Sequence, residues 1–316
     1  MSRLTQVTGG PYEPPAAARE LTVTSADGAR LHVEVHGPEG APAVVLAHGW
    51  TCSTAFWAAQ IRALATDHRV VVYDQRGHGR SPAAAQLPYT TDMLADDLEA
   101  VLGATLEPGE RAVLGGHSMG GMTMMAAAGR PAFREHAAAV LLCSTGSSAL
   151  VAEATVVPLL RAGALRTRLT RSVLGSKAPL GPVTPVAKKV LRFATMGPGS
   201  SPEKVEACAR IVHACPRGVR HGWSHVLELL QLDAGVAELT MPVAVVAGTV
   251  DRMTPVVHAR RIAAALPNCV GLTELAGMGH MTPVEAPEAV TAVIRELSDT
   301  YVRNADVNSQ KGADVV

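Results

Sequence analysis

From residue 21 the chain alternates apolar and polar positions with a period of two. LTVTSADGARLHVEVHG (21–37) holds two such segments around Asp27-Gly28, and an Asp-Gly pair between alternating runs predicts a β-hairpin. The pattern then changes. AVVLAHG (43–49) is apolar without alternation and rich in β-branched residues, as expected of a strand covered on both faces of a parallel sheet. Comparable runs recur at RVVVYD (69–74), RAVLGG (111–116), AAVLLCS (138–144), PVAVVAG (242–248) and GLTELAG (271–277). Helical segments fill the intervals near 54–66, 90–105, 119–129, 256–266 and 283–298. This alternation predicts an α/β fold: a mainly parallel eight-stranded sheet with helices on both faces. Between about 146 and 236 the rhythm stops, and helical, Pro- and Gly-punctuated sequence predicts an inserted helical cap. The expected organisation is an N-terminal extension (1–20), a core (21–145 and 237–302), the cap (146–236) and a polar, frayed tail (303–316).

Composition narrows the class. Hydrophobic residues make up 47% of the 316 positions, too many for a disordered chain, and charged residues only 18%, cancelling to a net charge of zero. No global charge points to nucleic acid. The first twenty residues lack the apolar core of a signal peptide, and no run of about 18 apolar residues is present to span a bilayer. A soluble, cytoplasmic protein without integral membrane association is expected. The five cysteines (Cys52, Cys143, Cys208, Cys215, Cys269) are odd in number and scattered without a CxxC pair, which indicates reduced thiols rather than a disulfide framework or a zinc site.

The chemistry starts at GGHSMGG (115–121), which follows a strand and opens a helix. Four glycines in seven residues disfavour a regular element interior, because each costs about 0.5–1 kcal/mol there relative to Ala. Gly116-His117-Ser118-Met119-Gly120 has the form G-x-S-x-G, in which small residues allow a turn so sharp that the serine hydroxyl projects above the sheet edge. Here the sequence resembles the α/β-hydrolase fold family, from about residue 21 to 300. A serine hydroxyl needs a base within hydrogen-bond reach and an acid to orient that base, and the family order is Ser, then Asp or Glu, then His. PVAVVAGTVDRMTP delivers Asp251 in the loop after one strand, and GLTELAGMGHMTPVEAPE delivers His280 after the last. Both lie at carboxyl ends of parallel strands, on the edge that carries Ser118. The rival acid, Glu153, is the first carboxylate after the preceding strand and is placed less well.

The resemblance implies further roles. An oxyanion hole would use the backbone N–H of Met119 and that of Trp50, in a His48-Gly49-Trp50 segment similar to the family's HG-x motif. DQRGHGRS (74–81) resembles a structural signature, a tight turn in which Asp74 and Arg76 bond the neighbouring backbone. His117, beside the serine, is expected to pack rather than react. His221 and His225 have a metal-compatible spacing without an evident third ligand, so no metal and no cofactor is expected. Trp50, Met122, Met253 and Met281, near the predicted catalytic loops, and Trp223 in the cap suggest an adaptable apolar substrate pocket; Trp57, Met119 and Met278 are further members of that set, several of them expected in the core. From Ala154 to Pro202 there is no Asp or Glu, while eight Arg and Lys occur; such a run is usually a solvated face, although it can also steer anionic substrates or rest on acidic lipid.

These readings converge on a serine carboxyl-ester hydrolase acting on a small-molecule ester with an apolar acyl or alcohol moiety. Cofactor-free haloperoxidases (perhydrolases), thioesterases, lactonases and C–C bond hydrolases share the constellation, and a catalytically silent scaffold is the alternative outside enzymes. Oligomeric state is not legible.

Overall fold

A computed structural model of the chain describes residues 12–83, 88–158 and 160–303. Its strands are β1 (Arg19–Thr24), β2 (Arg30–His36), β3 (Ala43–Ala47), β4 (Arg69–Tyr73), β5 (Ala112–His117), β6 (Ala137–Cys143), β7 (Val243–Gly248) and β8 (Cys269–Leu275). They form the expected eight-stranded sheet in the order β1-β2-β4-β3-β5-β6-β7-β8. β2 pairs antiparallel with β1 and β4, and every other pairing is parallel. The unbroken apolar runs follow from this layout. Successive residues of a strand point to opposite faces, so Val45 joins one core with Leu98, Met125 and Ile262, while Val44 and Leu46 join the other with Ile61, Leu64 and Ile294. The edge strands β1 and β8 are mostly exposed.

The helices outside the β6–β7 connection are α1 (Ala58–Leu64), which continues a 3₁₀ turn at Thr54–Trp57, α2 (Thr91–Thr105), α3 (Met119–Ala127) and α4 (Pro131–His136). The connection itself holds α5 (Leu150–Glu153), α6 (Ala164–Leu174), α7 (Pro185–Thr195), α8 (Pro202–Ala214), α9 (Arg217–Glu228) and α10 (Asp233–Glu238). After β7 come α11 (Val256–Ala265), α12 (Thr282–Glu285), α13 (Pro287–Ser298) and a π turn at Asp299–Arg303. α12 and α13 replace the single helix expected near 283–298, with Pro287 at the first position of α13. The β6–β7 connection contains no named strand among the described residues, and its ends meet through a bridge between Ser148 and Gln231. The N-terminal extension is shorter than expected, since β1 already begins at Arg19. Residues 1–11 of that extension and 304–316 of the expected tail lie outside the described residues. Among the described residues no helix is long and apolar enough to cross a membrane, and all five cysteines are free thiols.

In the 74–81 turn, Asp74 accepts from the N–H of Thr54 and of Arg80, both at 2.8 Å, in line with the sequence expectation. Arg76 departs from it. Its guanidinium bonds carboxylates rather than backbone: Nε donates to Asp97 at 2.7 Å and Nη1 to Asp27 at 2.7 Å, with Arg76 and Asp97 both buried. Two acidic side chains supply the compensation that a buried cation needs.

Candidate active site

β5 ends at His117 and α3 begins at Met119, leaving Ser118 at the junction with φ +51° and ψ −115°. A non-glycine residue in that region stores about 1–3 kcal/mol of strain and needs its surroundings to hold it. They do: Ser118 N–H donates to the Cys143 carbonyl (2.9 Å), and its own carbonyl accepts from Thr145 Oγ1 (2.8 Å) and Met122 N–H (3.1 Å). The flanking glycines let the turn close. A Cβ on Gly116 would stand 2.1 Å from the Gly120 carbonyl oxygen, and one on Gly120 would stand 2.0 Å from that of Ala47.

The loops after β7 and β8 bring Asp251 and His280 together. Asp251 Oδ2 accepts from His280 Nδ1 at 2.8 Å, with both side chains buried. The other oxygen, Oδ1, accepts from the N–H groups of Met253 (2.7 Å) and Thr254 (2.9 Å). Thr254 Oγ1 lies 2.9 Å from Asp251 Oδ2 and 3.2 Å from His280 Nδ1, completing a fixed cradle for the imidazole. The sequence reading missed Thr254. It also missed Glu285, whose buried carboxylate accepts from the N–H groups of Gly197 (2.6 Å), Gly279 (3.0 Å) and Met281 (3.1 Å) and so holds the loop around His280. No periodic signal marks either residue. Glu153, the rival acid, is engaged elsewhere, by Arg261 (2.8 Å) and His258 (3.1 Å).

The loop after β3 is held from below by two neutral imidazoles. His48 donates from Nδ1 to the Gly49 carbonyl (2.8 Å) and accepts at Nε2 from Gln75 N–H (3.0 Å). His78 accepts at Nε2 from Thr51 N–H (3.2 Å). Each acceptor role requires the uncharged ring, and burial pushes the His48 pKa down to about 3 and that of His78 to about 4. His117 packs, as expected: Nε2 donates to the His280 carbonyl (2.8 Å), and the ring lies 4.5 Å from Phe56 and 4.9 Å from His280 between centroids. Burial and the neighbouring His280 hold its pKa well below the usual histidine range.

Ser118 and His280 line one cavity of about 640 Å³, together with Trp50, Met122, Met253 and Met281 and with residues of α6, α7 and α9. Trp223 corrects the sequence expectation. It is fully buried and does not line the cavity; its ring stacks on Tyr89 at 4.5 Å and its Nε1 donates to the Arg76 carbonyl (3.3 Å). Trp57 and Met119 are likewise core residues. His221 and His225 face each other with Nε2 atoms 3.2 Å apart, and His221 Nδ1 is bonded to the Gly175 carbonyl (2.7 Å). Among the described residues the one cluster of three metal-capable side chains is Glu20, His32 and Glu34, and Arg80 already pairs with both of its carboxylates.

The sequence profile of the alpha/beta hydrolase fold matches residues 42–287. The chain belongs to that family. It is 36% identical over 105 residues to 3-oxoadipate enol-lactonase 1 of Acinetobacter baylyi, which is 33% of this chain and 38% of the relative. The chain spans only about a third of the length of the first curated relatives it matches, 34% and 38%. Among solved structures, an esterase from Rhodococcus sp. superposes with a TM-score of 0.73 at 22% identity, covering 89% of this chain and 99% of that one. A bromoperoxidase from Bacillus anthracis superposes with a TM-score of 0.71 at 18% identity, covering 89% and 100%. At such identities these structures speak for the fold. The family match and these superpositions agree on the α/β-hydrolase fold for this chain.

Proposed function

We propose that this hydrolase cleaves carboxylic esters through an acyl-enzyme intermediate on Ser118. The observation that carries the reading is the 2.8 Å contact between Asp251 and His280 beside a cavity that Ser118 also lines, with Ser118 held at positive φ where a strand turns into a helix. Ser118 Oγ attacks the ester carbonyl while His280 Nε2 takes its proton; the imidazolium then protonates the leaving alcohol, and water reverses the sequence to release the acid. Asp251 fixes the tautomer by accepting from Nδ1 and stabilises the imidazolium. Oxyanion stabilisation falls to the Met119 N–H, at the start of α3 where helical amides have no intrahelical partner, and to the Trp50 N–H. A neutral His117 suits this scheme, because a second cation 4.9 Å from His280 would oppose its protonation.

The β6–β7 connection acts as a cap. α6, α7 and α9 contribute wall residues to the cavity, and Trp50, Met122, Met253 and Met281 supply an apolar surface for the acyl or alcohol moiety. A lactone is a cyclic ester and enters the same chemistry, so the enol-lactonase relative is compatible with it. The deciding experiment is labelling with a fluorophosphonate followed by peptide mapping, together with turnover of a series of acyl esters. A single adduct on Ser118, absent from Ser118→Ala together with ester turnover, is expected; an adduct elsewhere, or turnover surviving in the variant above a tenth of wild type, refutes the assignment.

A further inference from the structure

Among the described residues that line the cavity there is no Asp or Glu, and Arg220 of α9 is the one Arg or Lys. Arg220 is 6% exposed. Among the described residues its guanidinium has no carboxylate partner; Nη2 alone is used, donating to the carbonyls of Ser176 (3.0 Å) and Ala178. Three further N–H groups, on Nε and Nη1, remain. The same chain shows how a purely structural buried arginine is treated, since Arg76 is met by Asp97 and Asp27. An uncompensated buried cation costs several kcal/mol, and here it borders the space beside Ser118. Its position is fixed relative to that site, because Trp50 Nε1 donates to the Arg220 carbonyl at 3.1 Å.

We propose that Arg220 is an anion subsite of the cavity and binds a carboxylate carried by the substrate away from the scissile carbonyl. The substrate class is then a carboxylate-bearing ester, such as the hemiester of a dicarboxylic acid. This rests on the ester-hydrolysis reading above. The missing counter-charge arrives with the substrate, and a neutral analogue leaves the guanidinium unpaired, which is the condition under which a polar site discriminates most strongly. The basic stretch of α6 and α7 fits the same preference: Arg171 and Lys188 are paired with Glu228 and Glu206, while exposed Arg168, Lys189 and Arg192 add positive potential on the helices that supply cavity walls. The competing account is that Arg220 only pins the 176–178 loop.

The test compares the 4-nitrophenyl hemiester of pimelate with 4-nitrophenyl heptanoate, equal in chain length, in wild type, Arg220→Gln and Arg220→Lys. A wild-type preference for the hemiester of about 10- to 100-fold in kcat/KM is expected. That ratio should collapse in Arg220→Gln, mainly through KM, and survive in part in Arg220→Lys. Calorimetric titration of Ser118→Ala with heptanoate and heptanamide reads the subsite without turnover, and adding Arg220→Gln should abolish the preference for heptanoate. Equal losses on both esters in Arg220→Gln, or no wild-type preference in either assay, overturn the subsite while leaving ester hydrolysis standing. If neither ester is cleaved yet heptanoate binding depends on Arg220, the ester reading falls and the subsite stands. Should the Gln variant fail to fold, the wild-type ratio and the Lys variant decide.

Discussion

Replacing Gly49 by Ala probes how tightly the loop after β3 is set against His117 and Ser118, the proposed nucleophile. An added Cβ would stand 2.7 Å from His117 Nδ1, 3.1 Å from His117 Cε1 and 3.2 Å from Ser118 Cβ. The closest of these is roughly 0.8 Å inside the ordinary separation of about 3.5 Å, so something must move. The His117 ring cannot yield alone: it is buried, packed at a tilt against Phe56 and bonded to the His280 carbonyl, so its displacement carries either His280 or Ser118 with it. A misplacement of about 1 Å costs on the order of 100-fold in rate, and overpacking of this kind costs about 1–3 kcal/mol of stability. We expect Gly49→Ala to lower kcat for an acyl ester about 30- to 100-fold with KM changed far less, and to lower the urea midpoint modestly. Gly40→Ala is the control, since a Cβ there meets nothing within 4 Å. Steady-state kinetics with active-site titration would separate slow turnover from loss of folded enzyme. A Gly49→Ala variant with kcat within threefold of wild type refutes the reasoning.

The other expectations concern the acid, a buried ion pair and pH. Asp251→Asn should lower kcat by about 10⁴, whereas Glu153→Gln should stay within about threefold because its partners are Arg261 and His258; the opposite ranking in an ester assay reverses the choice of acid. Asp97→Ala strands the buried Arg76 with Asp27 alone and should cost about 3 kcal/mol in urea unfolding, and a cost below about 1 kcal/mol contradicts the pair's role. His48 and His78 stay neutral in the fold, with pKa values lowered to about 3 and about 4, while the unfolded chain takes up their protons near pH 6.5. Their contribution is therefore intact above pH 6.5 and declines as pH falls toward 4, by at most about 1.4 kcal/mol per unit for each ring. Burial raises the Asp74 carboxyl to about 6, which offsets one ring's share below that pH. Urea midpoints at pH 7 and 5.5 should show the decline, flattened in His78→Asn; an equal slope in that variant removes His78 from the account.

The central strands were legible because they bury both faces and leave unbroken apolar runs, as in β3 and β5. α4 and α10 left no such trace, each being six residues long and under two turns. At the site, Ser118 is announced by local turn chemistry, and Asp251 and His280 by their places after strands. Trp223 was misplaced because an aromatic in a helical segment reads alike whether it faces a cavity or a core. What decides is Tyr89, contributed by a distant loop before α2. The contacts of Thr254 with His280, of Glu285 with Gly197 and of Arg220 with Ser176 join segments far apart in sequence, and no periodicity encodes such meetings. The carboxylates around Arg76 were missed for the same reason.

The N–H groups of His280 and Met281 both donate to the Thr195 carbonyl, at 2.8 and 3.2 Å, and Thr195 is the last residue of α7. Glu285 then ties the same loop to Gly197, just past that helix. The imidazole proposed as the base thus hangs partly from the β6–β7 connection rather than from the sheet alone. Grafting a foreign segment between β6 and β7 would remove this anchorage even where the graft folded well, so the insertion is not a detachable module. The seam at 195–197 and the His280 loop it supports are thus one unit, and on the role proposed for this connection changes of substrate range are expected in α6 and the first turns of α7.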